Sequence, residues 1–469
     1  MFRKIRSLSL IVLGLATLNA SAEVTFEYIG ENIWGTSLSS DGRAVAGNTE
    51  GVYETFRWTE ETGVELLGRA TSPYIGGGAG TPDISADGTR ISATIITEDF
   101  LYATQGLWTL GEGWQVTMPP LPPDGGSLDN SYGSAWGLSG DGETVTGFYW
   151  SPGHPLGVAR PSAWNETDGI VDLGTEFGSG RANHANYDGS VVVGWDEATF
   201  GYWRPTVWMD GQRHTLTVYE AFCDASCIND AGTIIGGHGY EPETMKFPGV
   251  VWRWDGMTWI EDQLGTLPGT APYNGLTDVG DMTLDGSVMV GYNQFYNPNV
   301  ATGFIWTEDT GLIDVEDFLI DNGVVLEEDF NILTLTGISD NGRVLMGSGI
   351  INVAPFTAKT FLIHTDVFTA VPEWADASQG LNLRVSKNPF RSSTTLSFSL
   401  PSAAVLRMDI YDVQGRLVKN LHSGNISAGD RQLAWDGTDS QGRQVRSGVY
   451  FAKAMAGNRV DTQKLMVLR

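Results

Sequence analysis

The chain has 469 residues and carries 56 Asp+Glu against 28 Lys+Arg, a formal net charge of −28, so its surface repels nucleic acid and anionic membranes. After the amino-terminal segment no apolar run approaches the roughly 18 residues of a membrane-spanning helix, which excludes such a span from the mature chain. Two cysteines, Cys223 and Cys227, exclude a disulfide-dense scaffold.

Residues 1–22 read as a signal peptide. Arg3, Lys4 and Arg6 precede an apolar run from Leu8 to Leu18, and Ala20-Ser21-Ala22 is a small-residue cleavage site. The mature chain is expected to begin near Glu23 and to be extracellular or held at the cell surface. Its charge is unevenly spread: residues 23–372 hold 48 acidic and 12 basic side chains, whereas 373–469 hold 8 and 13. That shift predicts two domains of different character.

From residue 37 to 347 a turn motif recurs seven times, of the form apolar-(Ser/Asn/Thr)-x-(Asp/Asn/Ala)-Gly-x-x-apolar-x-(Gly/Ala). The copies are Leu38–Gly47, Ile84–Ala93, Leu138–Gly147, Ala185–Gly194, Ile228–Gly237, Met282–Gly291 and Ile338–Gly347, at intervals of 43 to 56 residues. That period belongs to propeller blades. In the first copy Trp34 to Ser39 reads as a strand, Ser39 to Gly42 as a tight turn with glycine where positive φ is needed, and Arg43 to Asn48 as the returning strand. Glu54 to Thr59 and Val64 to Gly68 alternate as a third and fourth strand. Trp58, Trp108, Trp164, Trp208, Trp252 and Trp306 fill one slot in successive repeats and are read as packing between sheets.

The predicted domain runs over 23–364. The seventh copy stops after a third strand near His364, and residues 24–30 resemble a fourth strand, so these ends are expected to join in the last blade and remove two sheet edges. Residues 365–380 read as a linker. From 381 to 469 the repeat vanishes, and about seven short strands between Leu381 and Leu468 predict an immunoglobulin-like sandwich. The fold class is therefore all-β, a seven-bladed β-propeller followed by an Ig-like β-sandwich.

The Ser-x-Asp-Gly-x-x-Val-x-Gly and Trp-Thr-x-x-x-Gly pattern over about residues 31–364 resembles the HAF-type repeats of bacterial exported proteins. Asn388-Pro-Phe390, Ile410 to Val418, Trp435-Asp-Gly to Arg443, Ser447 to Phe451 and Lys464 to Arg469 resemble the FlgD-type Ig-like domain. Their layout is also similar to the carboxy-terminal sorting domains of type IX secretion cargo. These resemblances imply a passenger taken across the outer membrane by export machinery that reads 381–469, then released or anchored at the surface.

Chain topology puts all seven Asp-Gly-type turns on one face of the ring and the long second-to-third loops and inter-blade links on the other. Binding residues favour such loops. There the sequence places Tyr149, Trp150, Trp195, Tyr202, Trp203, Tyr292, Phe295 and Tyr296, interleaved with Asp196, Glu197, Asn293 and Asn297. Aromatic faces beside carboxylates and amides suit stacking on a glycan or gripping an extracellular peptide; packing of the loops on their own aromatics is the structural alternative. A second set, one residue before each motif, includes Asp83, His184 and Asp281 from alternate repeats. If the first strand is innermost these face the channel, as an ion or acid/base site or as solvated lining. Cys223 and Cys227 form a disulfide only if the chain turns at Asp224 to Ser226.

No nucleophile elbow, phosphate loop, dinucleotide fingerprint or histidine metal spacing occurs, so no catalytic residue, metal or cofactor is assigned. The reading favours a secreted or cell-surface recognition and display protein without catalysis. Its alternative is a secreted carbohydrate-active enzyme, a glycosidase or lyase whose acids come from separate blades.

Overall fold

The computed structural model describes residues 24–69, 80–98, 102–117, 132–151, 158–198, 201–217, 221–268, 275–294, 301–368, 381, 383–400, 404–412, 417–427, 429–456 and 459–468. Residues 1–23, 369–380, Phe295, Tyr296 and Asn297 lie outside them, so the expected signal peptide and most of the expected linker fall beyond the described residues.

Seven antiparallel four-stranded sheets follow one another along the chain. Blade one consists of Ile33–Leu38, Ala44–Thr49, Thr55–Thr59 and Gly63–Leu66. The next five sheets repeat this order, with innermost strands Asp83–Ile84, Gly133–Leu138, Gly180–Ala185, Asp224–Ile228 and Leu276–Met282. Blade seven is built from both ends of the propeller: Phe330–Ile338, Val344–Ile351 and Thr357–Thr365 are completed by Val24–Glu31. Val24 pairs with Thr365 and Phe26 with Ile363, and the Phe26 ring stacks on Phe361 at 4.8 Å.

The motif is explained by its turn. In blade one Ser39 Oγ donates to Asp41 Oδ1 (2.8 Å) and accepts from the Ala44 N–H (2.9 Å), while Gly42 sits at φ +76°. Asp41 Oδ1 in turn accepts from the Arg43 N–H. Side chain and backbone thus satisfy each other in a turn that only glycine closes without strain. Where blade five has Ala231 in place of the aspartate, Asn229 Oδ1 accepts from both the Thr233 and Ile234 N–H groups.

Successive turns are also tied to one another. The Ser40 N–H donates to Ala86 O, Ala86 to Gly140, Asp141 to Tyr187, Tyr187 to Asp230, Leu284 to Asp340 and Asp340 back to Ser40. Asn229 Nδ2, donating to Leu284 O at 2.9 Å, supplies the link between blades five and six. The turn face is therefore a closed ring of hydrogen bonds.

The tryptophan slot packs as expected. Trp58 pairs with Val45, Trp164 with Val145 and Trp252 with Ile235, and all three are buried among aliphatic side chains of neighbouring sheets. One element was not anticipated, a seven-residue helix Val315–Asp321 between blades six and seven. Asp314 caps it by accepting from the Glu316 N–H, and Val315, Phe318 and Leu319 bury one face.

The carboxy-terminal unit is a sandwich of two antiparallel sheets. One contains Arg384–Val385, Thr394–Leu400 and Gly429–Trp435; the other contains Leu417–Ile426, Ala404–Asp412, Gly448–Ala456 and Arg459–Val467 in that order. Its core centres on fully buried Trp435, with Phe390 and Tyr450 edge-on at 5.4 Å each. Among the described residues no helix is long and apolar enough to cross a membrane.

The turn that a disulfide between Cys223 and Cys227 would need does not form. Cys223 and Cys227 are free and buried, because Asp224–Ile228 runs as a strand rather than turning back. Extended backbone carries the two thiols to opposite ends of that segment, beyond bridging reach.

Candidate ligand face and central channel

The innermost strands carry a shared irregularity that sequence pattern does not announce. In six of the seven blades the pairing of first and second strands slips by one residue, at Thr36, Trp136, Asn183, Ser226, Gly280 and Thr336. A bulge of this kind turns two consecutive side chains the same way. Hence Asn183 and His184 both line the channel, as do Ser226 and Cys227. Asp83, His184 and Asp281 are brought into one cavity of about 150 Å³ together with Asp230 and Asp340, which sequence reasoning missed. The missed pair occupies the variable position of the turn, where the other blades carry Ser40, Ala86, Gly140, Tyr187 and Leu284.

Asp83 is buried and fully engaged. Its Oδ1 accepts from Ser37 Oγ (2.6 Å), and its Oδ2 accepts from the Leu138 N–H (2.6 Å) and meets His184 Nε2 at 3.2 Å. Burial opposes its charge, but His184 and these hydrogen bonds hold its carboxyl below the ordinary range. Burial likewise opposes the charge on His184, yet Asp83 raises its imidazole above the ordinary value. Asp281 accepts from the Met282 and Ile338 N–H groups; burial outweighs both and pushes its carboxyl up to about 7. Among the described residues no three His, Cys, Asp or Glu side chains are placed to grip a metal ion directly.

At the long-loop end the channel strands carry a second network. Arg181 lies 3.7 Å above the Trp136 ring and 5.8 Å from that of Trp195, donates to Asp224 Oδ2 (2.8 Å) and Asn183 Oδ1 (2.6 Å), and bridges blades three to five. Asp278 Oδ1 accepts from Ser226 Oγ (2.8 Å) and contacts His238 Nδ1 (3.0 Å). Burial pushes Asp224 up to about 6 against the opposing pull of Arg181 and His238.

Of the aromatics assigned to this face, Trp195 is buried, stacked on Trp203 at 4.6 Å, rather than exposed. Tyr292 is enclosed against Asp278, and burial raises its hydroxyl far above the ordinary value. Tyr149 donates to Asp172, and Trp150 sits edge-on to Phe148. The polar residues expected between them are also engaged internally. Asp196 has no exposed side-chain surface and pairs with Arg213 at 2.6 Å, Glu197 accepts from the Ser179 N–H, and buried Asn293 accepts from Thr277. The reason is common to all: these positions end strands rather than loops, and their partners come from the same strand, another strand or an adjoining link of their own blade.

What stays open is a smaller patch. Tyr202 is 40% exposed and Phe222, from the link between blades four and five, is 49% exposed. Their rings meet edge-on at 5.3 Å, and Trp203 meets Phe222 at the same distance with Trp195 stacked beneath. Sequence reading passed over Phe222; the signal was its position in an inter-blade link on the long-loop face.

No curated protein matches the chain in sequence. Solved structures similar to it include the β-propeller domain of the Trilobed protease from Pyrococcus furiosus, at 12% identity and a TM-score of 0.44 over 75% of this chain and 99% of that one. The acylaminoacyl peptidase of Pyrococcus horikoshii is similar at 12% identity and a TM-score of 0.45, over 79% of this chain and 58% of that one. TolB from Acinetobacter baumannii is similar at 11% identity and a TM-score of 0.36, over 60% and 62%. The seven consecutive blades establish the propeller on their own, and residues 386–459 match the FlgD Ig-like domain family, so the chain joins a β-propeller to a carboxy-terminal FlgD-like Ig domain.

Proposed function

We propose that this is an exported recognition protein without catalysis, whose propeller binds a glycan or an extended extracellular peptide at the patch formed by Tyr202, Trp203 and Phe222. The observation that carries this reading is the exposure of two aromatic rings braced from below by the Trp195–Trp203 stack. Rigid, pre-ordered aromatic surface loses little entropy on binding and suits both sugar faces and peptide side chains. The HAF-type pattern and the resemblance of 381–469 to type IX sorting domains support export, with the FlgD-like domain as the segment that directs transport or surface attachment.

The hydrolase alternative needs two carboxylates facing a substrate cleft. Asp224 and Asp278, two carboxylates at this end of the channel, are already occupied by Arg181 and Asn183 and by His238 and Ser226. Recognition is therefore the better reading. Glycan and peptide arrays probed with the mature chain test it: Tyr202→Ala with Phe222→Ala is expected to abolish the wild-type hits without lowering thermal stability. Retention of every hit by the double variant would exclude this patch.

A further inference from the structure

On the reading of Tyr202, Trp203 and Phe222 as the binding surface, on which this rests, we propose that His238 is its positioning residue. Held as an imidazolium between Asp278 and the Phe222 carbonyl, it fixes Phe222, and ligand binding weakens when the ring loses its second proton.

His238 ends the second strand of blade five, Ile234–His238, and is buried. Its Nδ1 lies 3.0 Å from Asp278 Oδ1 and its Nε2 2.9 Å from Phe222 O. A peptide carbonyl has no proton to give, so Nε2 carries a hydrogen and donates. Asp278 Oδ1 already accepts from Ser226 Oγ, and a carboxylate likewise offers Nδ1 only lone pairs. A neutral imidazole has one N–H for these two acceptors; the imidazolium has two.

The charges around the ring balance on the same count. Asp224, paired with His238 across the first two strands of blade five, and Asp278 of blade six are the acids; Arg181, 2.8 Å from Asp224, is the other cation. Tyr292 and Cys223 add no charge, since burial raises the hydroxyl far above its ordinary value and pushes the thiol up to about 12. The Phe247 ring stands edge-on to the imidazole at 6.2 Å. Burial opposes the charge on His238, but Asp278, Asp224 and the Phe222 carbonyl raise its imidazole above the ordinary value.

Phe222 depends on this bridge. The link that carries it is tied to blade four, where the Trp203 N–H donates to Ala221 O at 2.9 Å, and His238 ties it to blade five. A carboxylate is a stronger acceptor than a carbonyl, so a ring left with one proton keeps it on Nδ1 and turns the Nε2 lone pair on Phe222 O. Phe222 then loses this tie to blade five, and its edge-on contacts with Tyr202 and Trp203 at 5.3 Å loosen. Because the imidazole is raised in the folded state, the bridge is complete at low pH and is lost as pH climbs through that raised value.

Two-bond ¹H–¹⁵N correlation spectra of the mature full-length chain from pH 6.5 to pH 9.5 test this, with the His238 signals assigned by His238→Gln and, independently, through their coupling to its Cβ. Both ring nitrogens are expected to be protonated at the acid end, Nε2 is expected to be the one that loses its proton, and Asp278→Asn should lower the midpoint. With 4-fluorophenylalanine incorporated, the Phe222 resonance, assigned by Phe222→Leu, should shift and narrow with that same midpoint. Affinity for the strongest hit of the glycan and peptide arrays should fall about tenfold across it, as for one lost hydrogen bond to a charged group. A ring that is neutral at pH 6.5 or keeps its Nε2 proton to pH 9.5, a Phe222 signal indifferent to the titration, or an affinity that stays constant through it would each overturn the proposal. Arrays without any hit would remove the patch as a binding surface, and with it this role, while the spectra still report whether the bridge exists.

Discussion

His184 Nε2 lies 3.2 Å from Asp83 Oδ2 although the two residues belong to blades four and two. Blade three makes the contact feasible. Its Gly137 has no side chain, and a Cβ there would lie 2.8 Å from the His184 Cα and closer still to Asn183 O. The neighbouring Leu138 N–H donates to the same carboxylate oxygen and Ser37 of blade one donates to the other, so four blades meet on one buried acid. Removing an acid held this way strands its donors. Asp83→Ala is expected to destabilise the fold by about 3 kcal/mol and His184→Ala by less, since the imidazole keeps some access to the cavity. In a denaturant double-mutant cycle the pair should couple by about 1 kcal/mol or more; strict additivity would show that the ion pair contributes nothing.

Stability should also fall as pH rises through neutrality. Burial raises the folded-state carboxyls of Asp230 to about 6 and of Asp281 to about 7, from an ordinary 3.8. A carboxyl raised in this way stabilises the fold fully below its unfolded value, and that contribution is lost as pH climbs through the folded one. His184, also raised, acts with the same sign, whereas Asp83, lowered, loses its contribution only as pH drops below about 4. Melting temperature measured in chelator is thus expected to decline from pH 5 to pH 8, and Asp281→Asn should flatten part of that decline. An unchanged slope in the variant would remove Asp281 as a source.

Closure of the ring through Val24–Glu31 makes the two ends of the propeller depend on each other. Phe26 and Tyr28 pack on Phe330 and Phe361, and Lys359, inside blade seven, pairs with Glu31 at 3.1 Å and with Glu327 at 2.6 Å. Deleting 23–30 should lower the melting temperature of the whole propeller rather than fray one blade, because blade seven would expose an edge and blade one would lose the packing of Ile29. Phe26→Ala, a milder change at a half-buried ring, is expected to cost about 1–3 kcal/mol. Differential scanning calorimetry reads both, and an unaltered transition in the deletion would refute the closure.

Much of this architecture was legible in the sequence because it rests on local chemistry. Ser39, Asp41 and Gly42 specify a turn within four residues, and Trp58 and its equivalents mark a packing slot that periodicity alone exposes. The channel was only half legible. Alternation along a strand places Asp83, His184 and Asp281 on one side, but the bulges at Asn183 and Gly280 bring in a second residue per blade, and Asp230 and Asp340 arrive from the turn layer. Aromatic composition misled at Trp195 and Tyr292 because exposure depends on which side chains the paired strands bring against them, Trp203 and Asp278, and that relation is not local.

The same bulges explain the last glycine of the motif. A Cβ at Gly47, Gly147, Gly194 or Gly291 would sit 2.0 Å from a carbonyl oxygen of the facing innermost strand, respectively Trp34, Ser134, Arg181 and Asp278. The obstacle is backbone on a paired strand, which has nowhere to move. Blade two is the informative exception: Ala93 stands at the equivalent position, and there the innermost strand is only Asp83–Ile84, too short to bring a carbonyl against it. Gly147→Ala, Gly194→Ala and Gly291→Ala should therefore each destabilise the propeller, on the order of 1–3 kcal/mol from overpacking, or force the bulge to unpair. Ala93→Gly should cost less than about 1 kcal/mol, the ordinary backbone-entropy effect. If the three glycine variants melted within a degree of wild type, the bulge would not be what demands glycine, and the channel geometry that places His184 beside Asp83 would need another cause.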